Sequence, residues 1–275
     1  MTSRRHPAER LVHRGIGHVE FYDLPPAEVE DMAPLLERFV AEGRAGFSFH
    51  TPIARGPDFP YSPIACFFLS ENETKRELSF AQVERTLQAA RRWGAGHVVT
   101  HLTYGPGDTK DADAARKLAA AACRRFAELS RETEIPLDIE FAAYTESFHR
   151  PDDFLDVIAP HSELGICIDV GHAGLGALIR NRDVAADVET LASKARSLHL
   201  WNTLGLEHTK KFHHSALHPS QSPADGWLDV PRLTETVLRI SPQVKIIFEY
   251  PVDRMTPEIQ EGYDWISAIA VKTQK

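Results

Sequence analysis

The sequence predicts an α/β chain folded as a TIM-type (β/α) barrel that is incomplete, with seven recognisable strands. Short apolar runs alternate with longer amphipathic stretches and no long polar linker divides them, the pattern of a parallel sheet built through crossover helices. No strand candidate is followed by the GxGxxG turn of an open dinucleotide-binding sheet. Polar residues collect at the C-terminal ends of almost every strand candidate, where such a barrel carries its chemistry.

The first strand is expected over 16–22 (IGHVEFY), with a helix over 28–42. GFSFH (46–50) supplies the second strand, and a helix follows over 80–93, with Ser79 as its cap and Val83, Leu87 and Ala90 recurring on one face. HVVTH (97–101), PLDIE (136–140) and GICIDV (165–170) are the next three strands, with helices over 111–131 and 152–158 between them. Asn181, Arg182 and Asp183 open the helix expected over 184–195, after the fifth strand. SLHLW (197–201) and VKIIFEY (244–250) complete the strands, with helices over 230–239 and 257–270. Two connections, 51–77 and 202–227, are far longer than the few residues usual between elements and should overhang the barrel mouth. Phe67, Phe68 and Trp227 would give them an apolar surface.

The 275 residues fit one domain, 1–275, with its core over about 15–270. A hydrophobic share of 43% and a charged share of 25% are those of a soluble globular protein. No apolar run approaches the roughly 20 residues that cross a bilayer, and the basic N-terminal stretch has no apolar segment behind it, so no membrane or secretory role is expected. The net charge of -8 disfavours capture by nucleic acid. Three cysteines with no CxxC pair suit a reducing, cytoplasmic compartment.

Chemistry is concentrated at strand ends. Glu140, Asp169, His199 and Glu249 end four strands with the same parity relative to their apolar neighbours, so they should meet at one mouth. Three carboxylates and an imidazole in one cavity repel one another unless a divalent cation joins them, and oxygen-rich donors with one nitrogen suit Mn²⁺, Mg²⁺, Co²⁺, Fe²⁺ or Zn²⁺. His50 and His101 end two further strands. Either they hydrogen-bond substrate hydroxyls and orient the carboxylates, or they ligate a second metal. His18 and Glu20 are expected to face the barrel interior, His97 to be a buried hydrogen-bonded histidine, and Cys167 to be inward-facing packing with no acid–base partner close in sequence.

The pieces FSFHTP, VVTHLTYGPG, PLDIEF, GICIDVGH, SLHLWN and IIFEY, in this order, resemble the xylose-isomerase-like barrel superfamily, which contains sugar isomerases and epimerases and the endonuclease IV group. The resemblance covers roughly residues 15–270. It implies that the usual first strand of the barrel is the missing one, which would leave an edge for pairing with another copy of the chain. Resemblance to the ketose epimerases implies a cation, Mn²⁺ or Zn²⁺, on Glu140, Asp169, His199 and Glu249. Glu140 and Glu249 would exchange the substrate proton, His172 would assist, and Glu146 would contact the substrate. The arginine expected six residues beyond the metal histidine is replaced by Gly205. Resemblance to endonuclease IV implies instead a multinuclear centre, with His50 and His101 on a second ion bridged by Glu140 and His172 and His218 on a third. An aspartate of that pattern is Ala216 here, leaving His213, His214 or Asp225 to complete it. The function expected is a metal-dependent isomerase or epimerase of a small sugar or related polyhydroxylated carbonyl compound, with His50, His101, His218 and Trp227 also touching the substrate. The alternative is an endonuclease IV-like phosphodiester hydrolase.

Overall fold

The computed structural model describes residues 17–41, 43, 46–252 and 254–273; the expectation that the usual first strand is missing falls on residues before these and lies outside them. Seven parallel strands follow one another around a single sheet: β1 (His18–Phe21), β2 (Gly46–His50), β3 (Val98–His101), β4 (Leu137–Phe141), β5 (Leu164–Asp169), β6 (Ala195–Leu200) and β7 (Lys245–Phe248). β7 returns to lie against β1, but the two share no ladder among the described residues. The sheet is therefore a nearly closed barrel with one seam.

The helices are α1 (Pro26–Glu30), α2 (Ala33–Ala41), α3 (Glu73–Trp93), α4 (Ala112–Thr133), α5 (Pro151–Ile158), α6 (Val170–Arg180), α7 (Val184–Ala192), α8 (Leu206–Phe212), α9 (Val230–Ile240) and α10 (Pro257–Thr273). Among the described residues no helix is long and apolar enough to cross a membrane. Three expectations need correction. The helix read over 28–42 is broken into α1 and α2. α3 begins two turns before Ser79: Asn72 is its cap, its side chain accepting from the Lys75 amide, while the Ser79 hydroxyl lies within the helix, donating to the Lys75 carbonyl and accepting from the Phe67 amide. An extra helix, α6, follows β5 directly; Asn181 ends it in a left-handed conformation, and Asp183 caps α7.

Strand alternation sorts the side chains. Val19, Phe21, Phe49, Val98, Leu137, Ile139, Ile166, Ile168, Leu198 and Leu200 join helix residues such as Val83, Leu87, Phe126 and Val237 in one continuous apolar shell. The opposite parity faces the barrel axis and is largely polar. Ser48 donates to Glu20 and Ser197 to Asp138, both at 2.9 Å, so these buried carboxylates are paired inside the barrel. His97 is buried as expected, but its ring stacks on that of His18 at 5.5 Å, and Nε2 stays 3.9 Å from Asp138 rather than bonding it.

α6 shapes the mouth. A Cβ on Gly171 would lie 2.0 Å from the Trp201 ring, one on Gly176 2.3 Å from Ala143 Cβ, and one on Gly174 2.9 Å from Leu228. The glycines let the helix lie flush on the site, and Asp169 both ends β5 and caps α6. Gly171→Ala is therefore expected to cost about 1–3 kcal/mol through overpacking against a ring that cannot withdraw. Urea denaturation compared with the wild type checks this; an unchanged midpoint would show that Trp201 is free to move.

Candidate metal centre

Glu140, Asp169, His199 and Glu249 each offer a donor atom, and those atoms all lie within 4.8 Å of one another. β4, β5 and β6 deliver the first three, with zero exposure, while Glu249 follows β7 and keeps 31% of its side chain open to the cavity. His199 Nδ1 lies 3.0 Å from Glu249 Oε2 and 3.7 Å from Glu140 Oε2. Asp169 is fixed from two sides: Oδ1 accepts from the His172 amide at 2.6 Å, and both oxygens receive Trp201 Nε1–H at 2.8 Å.

A second group adjoins the first through Glu140. His50 Nε2 lies 2.9 Å and His101 Nε2 3.6 Å from Glu140 Oε2, and His50, His101 and Glu140 satisfy the same 4.8 Å spacing. His172 approaches the other oxygen, Nε2 to Glu140 Oε1, at 3.6 Å, and its Nδ1 meets the Tyr144 hydroxyl at 2.6 Å.

Burial raises a carboxylate's pKa, and only opposite charge or hydrogen bonds to the anion reverse that. Glu140 is held at about 2 despite its burial by the charge on His101, the hydrogen bond from His50 and the charge on His199. Burial likewise works against Glu249, yet His199 keeps it well below its ordinary range. Asp169 goes the other way, pushed up by burial and by the charges of Glu249 and Glu140. Burial opposes a charged His199, but Cys167, Glu20 and Glu249 raise it well above the usual imidazole value. Without a cation, then, the surroundings favour the protonated forms of His199 and Asp169.

The donor set fits a divalent cation. Glu140 Oε1 is buried and accepts no hydrogen bond, and three carboxylates with one imidazole are the hard, oxygen-rich ligands such an ion takes.

Of the residues singled out in the sequence, the structure gathers Glu140, Asp169, His199, Glu249, His50, His101 and His172. Glu146 is exposed on the β4–α5 connection. His218 lies away from the cavity, with Nδ1 against Ser220 and Nε2 3.3 Å from Glu261. Trp227 packs edge-on against His208. The reason is an antiparallel bridge between Asn202 and Ser215, which folds the long connection back just beyond His213 and His214. His214 thus stacks on Trp201 at 4.0 Å and meets the Glu249 carbonyl oxygen through Nδ1 at 2.9 Å. Phe67 packs on Tyr61 and Tyr104, and Phe68 on Phe80 and Phe126, so neither walls the cavity. Cys167, though buried as expected, does have acid–base neighbours in space: its sulfur lies within 4.8 Å of donor atoms of Glu140 and His199. Burial raises the thiol far above its ordinary range and keeps it protonated.

A cavity of about 340 Å³ opens beside the cluster. Glu20, Tyr22, His50, Thr209, His214 and Tyr250 are among its walls, with Glu249 at the boundary between cavity and cluster. Strand alternation singled out neither Tyr22 nor Tyr144, and the His214–Trp201 stack depends on a loop bridge that no periodicity encodes.

A family model described as the xylose isomerase-like TIM barrel matches residues 8–269. No curated protein matches in sequence. Among solved structures, an L-ribulose 3-epimerase superposes with a TM-score of 0.69 at 15% identity, covering 94% of this chain and 86% of the other. Endonuclease IV from Thermus thermophilus superposes with a TM-score of 0.55 at 18% identity, covering 94% and 90%. A xylose isomerase-like TIM barrel protein from Mycobacterium smegmatis, solved in complex with magnesium, gives 0.58 at 16% identity, covering 95% and 86%. At these identities the likeness is one of fold.

The protonation pattern predicts how a cation binds. The upward shifts of His199 and Asp169 favour a proton on each in the cation-free protein, and any such proton must leave before the atom can act as a ligand. Cation affinity is therefore expected to rise with pH, with at least one proton released per ion. Calorimetric titration in buffers of different ionisation enthalpy measures this; binding without proton release would remove both groups from the ligand set.

Proposed function

The chain belongs to the xylose isomerase-like TIM barrel family, and we propose that it is a divalent-cation-dependent isomerase or epimerase of a small polyhydroxylated carbonyl compound. One observation carries the reading: Glu140, Asp169, His199 and Glu249 converge on one point, with Glu140 Oε1 unpartnered, at the edge of an open cavity. These four residues would hold the cation, Mn²⁺ or Zn²⁺. Bound there, it supplies positive charge that polarises adjacent carbonyl and hydroxyl oxygens and stabilises the charge left when a neighbouring proton is removed.

The protein's own groups then divide the work. Glu249, a carboxylate partly open to the cavity, takes the proton from the carbon beside the carbonyl. Glu140 is completely buried and steadied as an anion by His50; it would return a proton to the opposite face only after taking one up from solvent, with the proton held by Glu249 released to solvent in exchange. His172, held by the Tyr144 hydroxyl, orients a substrate hydroxyl, and His50 and His214 bind others along the cavity wall. Thr209, Tyr22 and Tyr250 supply polar and aromatic surface suited to a neutral polyol. Glu146, His218 and Trp227 take no part in this reading, because of where they lie.

A second reading rests on the group formed by His50, His101 and Glu140. With an ion there as well, Glu140 would bridge two metals, the arrangement a phosphodiester hydrolase of the endonuclease IV kind requires. Stoichiometry separates the two: one tightly held ion per chain supports the isomerase, and two or three support the hydrolase.

Glu249→Gln keeps the shape of the side chain and removes the base. Proton transfer by a positioned group contributes typically 10²–10⁴-fold. The variant is therefore expected to lose at least about 100-fold in solvent-deuterium incorporation into an accepted ketose, with its circular dichroism unchanged. A panel of ketopentoses and ketohexoses with Mn²⁺ or Zn²⁺ provides the substrates. Turnover without deuterium uptake, or E249Q as active as the wild type, would overturn the assignment.

A further inference from the structure

The polar barrel interior points to a positioning device for the metal ligand His199. His199 presents Nδ1 to the cluster and Nε2 to Glu20, whose Oε1 lies 3.0 Å away on an off-axis approach. Glu20 is only 3% exposed, and its second oxygen accepts from the Ser48 hydroxyl at 2.9 Å. Ser48, itself fully buried, lies 3.0 Å from His18 Nε2.

Hydrogen-bond direction is forced between Glu20, Ser48 and His18, while His199 Nε2 makes a charge contact with Glu20 without a bond of good geometry. A carboxylate only accepts, so the Ser48 proton must point at Glu20, and the Ser48 oxygen must then accept from His18 Nε2–H. The other Glu20 oxygen can stabilise His199 only if Nε2 carries a proton. With that proton fixed, it is the proton on Nδ1, which faces Glu249 and Glu140, that leaves when a cation binds, and Nδ1 becomes the ligand atom. We infer that Glu20, held by Ser48, is a positioning residue: it fixes His199 in the Nε2–H tautomer and so sets the affinity of the cation centre. The row reaches from the mouth to His18 at the start of β1, so the first strand of the seven helps to define the metal site although it contributes no ligand. This inference rests on the cation centre proposed above and extends it to residues outside the ligand set.

Zn²⁺ affinity, measured by competition with a chromophoric chelator, tests it on wild type, Glu20→Gln and Ser48→Ala. Gln preserves shape and removes the charge that draws the Nε2 proton. E20Q is expected to bind Zn²⁺ at least about 10-fold more weakly, since outer partners of metal-bound histidines typically govern 10–100-fold; S48A should lose a smaller factor. Circular dichroism of the cation-free variants shows that the fold is kept. Nitrogen NMR of the zinc-loaded wild type reads the tautomer directly and decides the matter should E20Q not fold: a proton on His199 Nε2, with Nδ1 metallated, is expected. Unchanged affinity in both variants, or Nδ1–H in the loaded protein, overturns the role of Glu20 while leaving the cation centre standing. A wild type that binds no Zn²⁺, Mn²⁺ or Mg²⁺ overturns the centre and this inference together.

Discussion

Placing Glu140, Asp169 and Glu249 within reach of one another at the end of a parallel barrel is the constraint around which the molecule is arranged. Two like charges about 4 Å apart repel by roughly 4 kcal/mol even at an effective dielectric constant near 20, and each buried carboxylate also loses its hydration. The surroundings offset this with donors. His50 and His101 stand against Glu140, Trp201 and the α6 amide against Asp169, and His199 against Glu249. Even so, Glu140 Oε1 is left without a bond. A protein selected for stability alone would fill this mouth with aliphatic side chains; three acids and several imidazoles beside an open cavity are instead a donor set suited to a divalent cation.

The apolar shell and the polar axis divide the labour that one alternating pattern encodes. Residues of one parity, such as Leu137, Ile139, Leu198 and Leu200, pack outward into a single core with the helices. Residues of the other parity build a row that steps from Glu20 and Ser48 up to the mouth. Because β-strands reverse sides at every residue, a slip of one position would bury the acids among aliphatics and turn the aliphatics into the barrel. Register is consequently fixed by the cost of misplacing charge as much as by the gain from packing.

That alternation is why the barrel and the cluster were legible in the sequence: Glu140, Asp169, His199 and Glu249, which the structure brings together, could be aligned by parity alone. Helix α6 was not, because VGHAGLGALIR carries three glycines and little polar contrast; its glycines answer to Trp201, Ala143 and Leu228, which are remote in sequence. Ser79 misled as a cap because a buried serine within a helix and a capping serine look alike until their partners are known. His218 and Trp227 misled for a different reason. Their positions depend on the Asn202–Ser215 bridge, a tertiary contact that brings His214 to the site and leaves residues farther along outside. Local signals located strands and their ends well; what lay in the long connections was decided by contacts that no window of sequence contains.

The seam gives the site its asymmetry. β1 and β7 approach without bonding, and the cavity is walled there by Glu20 and Tyr22 from one side and by Glu249, Tyr250 and Val252 from the other. The cluster is therefore covered by α6 and Trp201 on the β5 side and opens toward the place where the two terminal strands meet. Glu249, at the end of the last strand, is the acid of the cluster that borders this opening, while Glu140 and Asp169 sit behind it without exposure. The same geometry places Glu20 of the first strand behind His199, so the two strands that fail to join in a ladder are tied through the site itself: Glu20 reaches one nitrogen of His199 and Glu249 the other. What the backbone leaves open, the imidazole bridges.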